Sequence, residues 1–189
     1  MDFPPHAKKV FQGKIFEVWQ WEQKMFDGST QIFERAKRPD TVEVIATVSD
    51  KIILLHQEQP LRDPFFSMPG GAADHGDTLL HEIKRELLEE TGYASNDWEF
   101  WQTRGGSVAR VLYSVHHFIA RNCEKLHEPK PDPGEKISLR LITFDEFLAL
   151  SEEPRFRGLL LSRFLLELRL DSKKRDEFRR LLFRKNSLG

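Results

Sequence analysis

A chain of 189 residues with 39% hydrophobic side chains is long enough to bury one good core and too short for two generous domains. Its 29 basic and 30 acidic side chains leave a formal net charge of −1, so no whole-molecule field is available to hold a polyanion or a membrane surface. The single Cys123 excludes an internal disulfide, the start Met1-Asp2-Phe3-Pro4-Pro5-His6 lacks a secretory pattern, and no apolar run approaches the roughly 18 residues that cross a bilayer. The expectation is a cytoplasmic protein that binds neither membrane nor nucleic acid.

Ile15 to Trp21 reads as a strand, and after the turn signal Asp27-Gly28-Ser29 the segment Thr30 to Glu34 reads as its hairpin partner. Val42 to Val48 and Ile52 to His56 are β-branched runs around the polar break Ser49-Asp50-Lys51 and predict central strands. Pro60, Pro64, Pro69, Gly70 and Gly71 predict irregular chain up to Asp77, a good N-cap. Leu79, Leu80, Ile83 and Leu87 then fall on one side of a helix that ends at Gly92.

Trp98 to Trp101 and Val111 to Ala120 read as strands separated by Thr103-Arg104-Gly105-Gly106-Ser107, with His116 and His117 expected as one surface and one core residue. The loop Glu128 to Gly134 precedes a last strand, Ile137 to Phe144, and a short helix from Asp145. Phe156, Leu160 and Phe164 share a helical face. The basic stretch Lys173 to Lys185, interleaved with Phe178, Leu181, Leu182 and Phe183, suits an amphipathic helix packed on the body. One α/β (α+β) domain follows, a mixed sheet between helical layers. Its parts are an N-terminal ribbon over about 10–36, a core over about 40–150 and C-terminal helices over about 153–185.

At about 100° per residue, Glu86, Glu89 and Glu90 line one strip bordering the apolar face. Like charges at these spacings each cost a helix a few tenths of a kcal/mol, and a hard divalent cation reverses the sign. Oxygen donors without cysteine or histidine at metal spacing select Mg2+, or Mn2+, over zinc. For the helix alone the alternative is a solvated acidic stripe paired with Lys84 and Arg85.

Gly71, five residues, Asp77, seven residues and Arg85-Glu86-Leu87-Leu88-Glu89-Glu90-Thr91-Gly92-Tyr93 resemble the Nudix box over 23 residues, with Asp77 in place of the usual Glu. The resemblance implies the Nudix fold and metal-assisted hydrolysis of a nucleoside diphosphate linked to another group. It implies Glu86 and Glu90 as metal ligands, Glu89 holding a metal or its water, and the Gly70 carbonyl completing the shell. Arg85 would orient the glutamates. Glu82, one turn before Glu86, is expected to be a partner of Arg85 or Lys84.

Phe33-Glu34-Arg35-Ala36-Lys37-Arg38-Pro39-Asp40 resembles the branch that hydrolyses ADP-ribose and nucleoside diphosphate sugars. That likeness implies a homodimer, substrate contacts from Arg38, Gln57, Arg62 and Arg104, and a general base in a distant loop, Glu135 first and Asp132 second. Trp19, Trp21, Phe33 and Phe65 lie where the branch places its nucleotide pocket, although strand aromatics are expected as core. Two departures bear on the substrate. Arg104 to Val108 lacks the proline usual in ADP-ribose hydrolases, and Gln57-Glu58-Gln59 stands where the branch has Gln-x-Arg, so one phosphate-binding arginine is missing unless Arg62 replaces it. The expected reaction gives a nucleoside monophosphate and a sugar phosphate. Alternatives are a pyrophosphohydrolase of RNA 5′ ends or nucleoside triphosphates, and a non-catalytic nucleotide sensor.

Overall fold

The computed structural model describes residues 3–73, 76–105 and 110–184. Gly106, Ser107 and Val108 of the predicted loop, and Lys185 of the basic stretch, lie outside them. Strands β1 (Lys8–Gln12), β2 (Glu17–Lys24) and β3 (Thr30–Lys37) form the N-terminal antiparallel ribbon. At its tip the Asp27 carboxylate accepts the Ser29 N–H at 2.9 Å, the side-chain turn that Asp-Gly-Ser encodes. The sequence pattern misses β1, whose five residues are all exposed and carry no alternation.

β4 (Asp40–Val48) and β5 (Lys51–Glu58) form the expected central hairpin. Around them runs a seven-stranded mixed sheet in the order β13 (Lys136–Ile142), β5, β4, β11 (Ser114–Arg121) and β9 (Asp97–Gly105). The β4–β11 pairing is parallel and the others are antiparallel. The stretch read as irregular contributes two short strands, β6 (Phe65–Ser67) on β5 and β7 (Gly70–Ala73) on β4. Their hydrogen-bond partners lie far away in sequence, which is why local proline and glycine content mislabels them. β8 (Tyr93–Ala94) pairs with β12 (Glu124–Lys125), and β10 (Val111–Leu112) extends the ribbon alongside β3.

Alternation along β4 sorts two cores. Val42, Val44 and Ala46 face helix α1 (Leu79–Thr91), which buries Ile83 and Leu87 completely. Ile45, with Ile52, Leu54 and Ile119, faces α2 (Phe144–Ala149), α3 (Leu159–Leu170) and α4 (Ser172–Leu182). The sheet therefore lies between helical layers, as expected. No described helix is long and apolar enough to cross a membrane.

Several local readings are corrected. Thr78, not Asp77, caps α1, its hydroxyl accepting the His81 N–H; Asp77 pairs instead with His81 Nδ1 at 2.9 Å. Leu80 points outward. The buried face of α3 is Leu161, Phe164, Leu165 and Leu168, because Phe156 precedes the helix and Leu160 sits at its shoulder. In α4, Phe178 and Leu182 are buried against the body, as the amphipathic pattern requires. Trp21 and Phe65 are core residues, Trp19 stacks on Phe3 at 4.9 Å, and His117 is the buried member of its pair.

One charged side chain fastens the layers. Arg121 is 1% exposed; its Nε donates to the Leu181 carbonyl of α4 at 2.6 Å, and its terminal nitrogens donate to Asp97 at 3.1 Å and Glu99 at 2.6 Å on β9.

Candidate active site

α1 presents Glu82, Glu86 and Glu89 along one flank, with Arg85 among them. Arg85 donates to Glu82 at 3.0 Å, Glu86 at 2.6 Å and Glu89 at 2.6 Å, so one guanidinium sets the direction of three carboxylates. Glu82 is 1% exposed and is a partner of Arg85.

Glu90 turns toward the sheet and is 4% exposed. Its Oε2 accepts the Gly70 N–H at 2.8 Å, while Oε1 lies 3.4 Å from Gln57 Nε2, which donates to Ser67 Oγ at 2.8 Å. Gly70 has φ +154°, and a Cβ there would meet the Val42 carbonyl at 2.1 Å. A Cβ on Gly71 would meet Glu86 Oε1 at 2.5 Å. The paired glycines let β7 pass between β4 and the helix carboxylates.

Opposite the helix stands Glu135, in a turn closed by its N–H on the Asp132 carbonyl at 2.9 Å. Its Oε1 accepts from Gln59 Nε2 at 2.9 Å, and Gln59 Oε1 accepts from Arg62 at 3.1 Å. Glu86, Glu89, Glu90, Asp132 and Glu135 all open on one cleft of about 420 Å³.

Burial is the main force on these carboxyls. It pushes Glu90 well above the usual carboxylate range, against the Gly70 N–H, and Glu86, Glu135 and Glu89 push in the same direction. Burial also raises Glu86, with Arg85 opposing, and Glu135, with Gln59 opposing and Asp132 adding. Among the described residues no three acidic or histidine groups converge as a ready metal shell, since Glu86 and Glu89 turn to Arg85. The donor set still fits a hard divalent cation. It is all oxygen, it crowds mutually repelling carboxylates into one cleft, and its most buried member takes its hydrogen bonds from neutral groups.

The NUDIX domain model matches residues 37–163, about two thirds of the chain. The chain belongs to the Nudix family of pyrophosphohydrolases. It is similar to the ADP-ribose pyrophosphatase of Bacillus subtilis (strain 168), at 27% identity over 77% of this chain and 80% of the relative. It is also similar to the methanol dehydrogenase activator of Bacillus methanolicus, at 27% over 79% and 82%. Similarity to the ADP compounds hydrolase NudE of Escherichia coli (strain K12) is 21% over 80% and 82%. Its fold resembles a crystal structure of an ADP compounds hydrolase, with a TM-score of 0.71, covering 90% of this chain and 95% of that one at 21% identity.

In this Nudix hydrolase the expected site residues divide into three groups. Glu86, Glu89, Glu90, Arg85, Gly70 and Glu135 come together at the cleft, and Arg62 is linked to Glu135 through Gln59. Gln57 is 5% exposed and sits behind Glu90. Arg38 and Arg104 lie elsewhere, Arg38 over the Tyr113 ring at 3.8 Å and Arg104 over Phe164 at 5.5 Å. Sequence reasoning missed Ser67 and Gln59. Ser67 sits in the unrecognised β6, and Gln59 was read only as a missing arginine.

Proposed function

We propose that the chain hydrolyses the pyrophosphate bond of ADP-ribose or a nucleoside diphosphate sugar with the help of magnesium, releasing a nucleoside monophosphate and a sugar phosphate. The observation that carries this reading is the facing of Glu135 against Glu86, Glu89 and Glu90 across one polar cleft beneath Gly70. The names of the relatives support the substrate class.

Glu86 and Glu90 would hold the metal, with Glu89 and the Gly70 carbonyl assisting. When bound, the cation neutralises pyrophosphate oxygens and lowers the pKa of water. The chain's own groups do the rest. Glu135 accepts the proton of the attacking water, and the hydrogen bond from Gln59 to its Oε1 leaves Oε2 for that task. Its raised pKa keeps the carboxylate a stronger base than a solvated one. Arg85 keeps Glu86 and Glu89 aligned, and Arg62 receives a substrate phosphate. As the water's oxygen joins one phosphorus, the anhydride bond breaks and the other phosphate leaves.

The deciding experiment incubates the protein with Mg2+ and separately with ADP-ribose, nucleoside diphosphate sugars, nucleoside triphosphates and 5′-triphosphorylated RNA, then identifies products by chromatography. AMP plus ribose 5-phosphate, or the equivalent pair from a nucleotide sugar, is expected. Pyrophosphate release from the triphosphates or RNA alone would transfer the site to the second substrate class, and no turnover of any compound would overturn catalysis. Glu135→Gln should lower kcat at least about a hundredfold; a loss under threefold removes Glu135 from the reaction.

A homodimer belongs to the same proposal. Val10, Phe11, Ile15, Phe16 and Ile32 expose apolar surface on the ribbon, which a second copy would cover. Light scattering at twice the monomer mass is expected, and a strictly monomeric protein at micromolar concentration overturns it.

A further inference from the structure

On the sheet face opposite α1, a second cavity of about 360 Å³ lies between the N-terminal ends of β4 and β11 and the turn leading into α3. Among the described residues it shares no lining residue with the carboxylate cleft. Two guanidinium groups line it. Arg38 sits over Tyr113, donating to the Pro39 carbonyl and Thr41 Oγ1, and Arg157 lies 4.1 Å from the centre of the Phe65 ring. Both rest on aromatic rings rather than on carboxylates. Stacking leaves in-plane N–H groups to donate to an acceptor with two oxygens, on Arg38 those other than the Nη1 pair held by Pro39 and Thr41.

A third group is already buried there. The His117 side chain is 2% exposed, neither ring nitrogen makes a hydrogen bond among the described residues, and Nε2 stands 3.3 Å from Glu43 Oε2. A polar side chain so deeply placed costs stability unless something completes its bonding. At the cavity's edge α3 starts from Gly158 with no side-chain cap, and its first N–H groups have no intrahelical acceptor. That end attracts anions. Among the described residues Glu43 is the one carboxylate on the wall, and beside His117 it suits hydroxyl donors rather than phosphate.

We propose that this cavity binds a small phosphomonoester with a hydroxylated body, such as a sugar phosphate or a nucleoside monophosphate, at a site separate from the carboxylate cleft. Arg38 and Arg157 take the phosphate, the α3 N-terminus adds to their field, and Glu43, backed by His117, takes hydroxyls. The volume suits a ligand of that size. The proposal does not depend on which substrate the carboxylate cleft hydrolyses.

Calorimetric titration of the full chain in EDTA, so that no divalent metal takes part, tests it with ribose 5-phosphate, AMP, ribose and sulfate. One or both phosphomonoesters should bind, ribose should not, and sulfate should be at least tenfold weaker; the tighter phosphomonoester identifies the body. Arg157→Gln should weaken binding at least tenfold, the loss of a charge-assisted contact, while Glu86→Gln stays within twofold. Sulfate binding as tightly as the phosphomonoesters would reduce the site to a general anion patch and overturn the proposal. Equal affinity in Arg157→Gln, or loss in Glu86→Gln, also overturns it. Should Arg157→Gln fail to fold, the His117 imidazole resonances of the parent protein decide: they shift with phosphomonoester and not with ribose, or the proposal falls.

Discussion

Glu90 sits at 4% exposure, with neutral groups, the Gly70 N–H and the Gln57 amide, as its hydrogen-bond partners. Its charge is therefore tolerated best when a cation shares the cleft. Glu90→Gln removes that charge with little change in shape. The metal-free variant should be more stable than the parent at neutral pH and should bind magnesium at least tenfold more weakly. Calorimetry and thermal melts check both, and a variant less stable without metal would contradict the burial argument. Gln57→Leu probes the layer behind. Losing a hydrogen bond to a metal-ligating carboxylate typically costs 10- to 100-fold in affinity or activity, so magnesium affinity should fall about that far while the KM for nucleotide at saturating metal changes little. A rise in KM alone would return Gln57 to substrate binding.

At the level of elements, α1 is set by its ends. Thr78→Ala should cost about 1 kcal/mol by losing the N-cap. Gly92→Ala should cost more, because φ is +74° and a Cβ would lie 1.9 Å from the His127 carbonyl; denaturant unfolding measures both, and equal losses would argue against the clash. This helix was legible because its period, its terminal glycine and its carboxylate spacing all lie within one local stretch. β6 and β7 were not, since three or four residues among prolines and glycines become strands only through β5 and β4. The same limit explains Gln57. The strand was read as ending at His56, whereas β5 runs on to Glu58, and which face Gln57 points to follows from the register of β5 against β6. Glu135 was proposed from the branch resemblance and its Gly/Pro-rich loop, whereas its hydrogen bond with Gln59 spans 76 residues and left no local trace.

For the whole molecule, the raised carboxyls give a direction of pH dependence. Glu90, Glu86 and Glu135 hold their protons more tightly when folded than in the open chain. Their ionisation therefore costs the folded state stability as pH rises from about 4.5 through their raised values. In the proposed reaction, magnesium would offset that cost only where they are ionised. The gain in Tm on adding magnesium should be larger at pH 8 than at pH 5, at about 2–4 °C per kcal/mol for a chain of this length; equal gains would refute the linkage. The Arg121 fastening carries a different consequence, for the order in which the chain is made. Its acidic partners lie 24 and 22 residues earlier, but the Leu181 carbonyl comes 60 residues later. During synthesis from the N-terminus, the sheet is complete while this arginine still lacks its last acceptor, so the final locking of β9 waits for α4 to emerge.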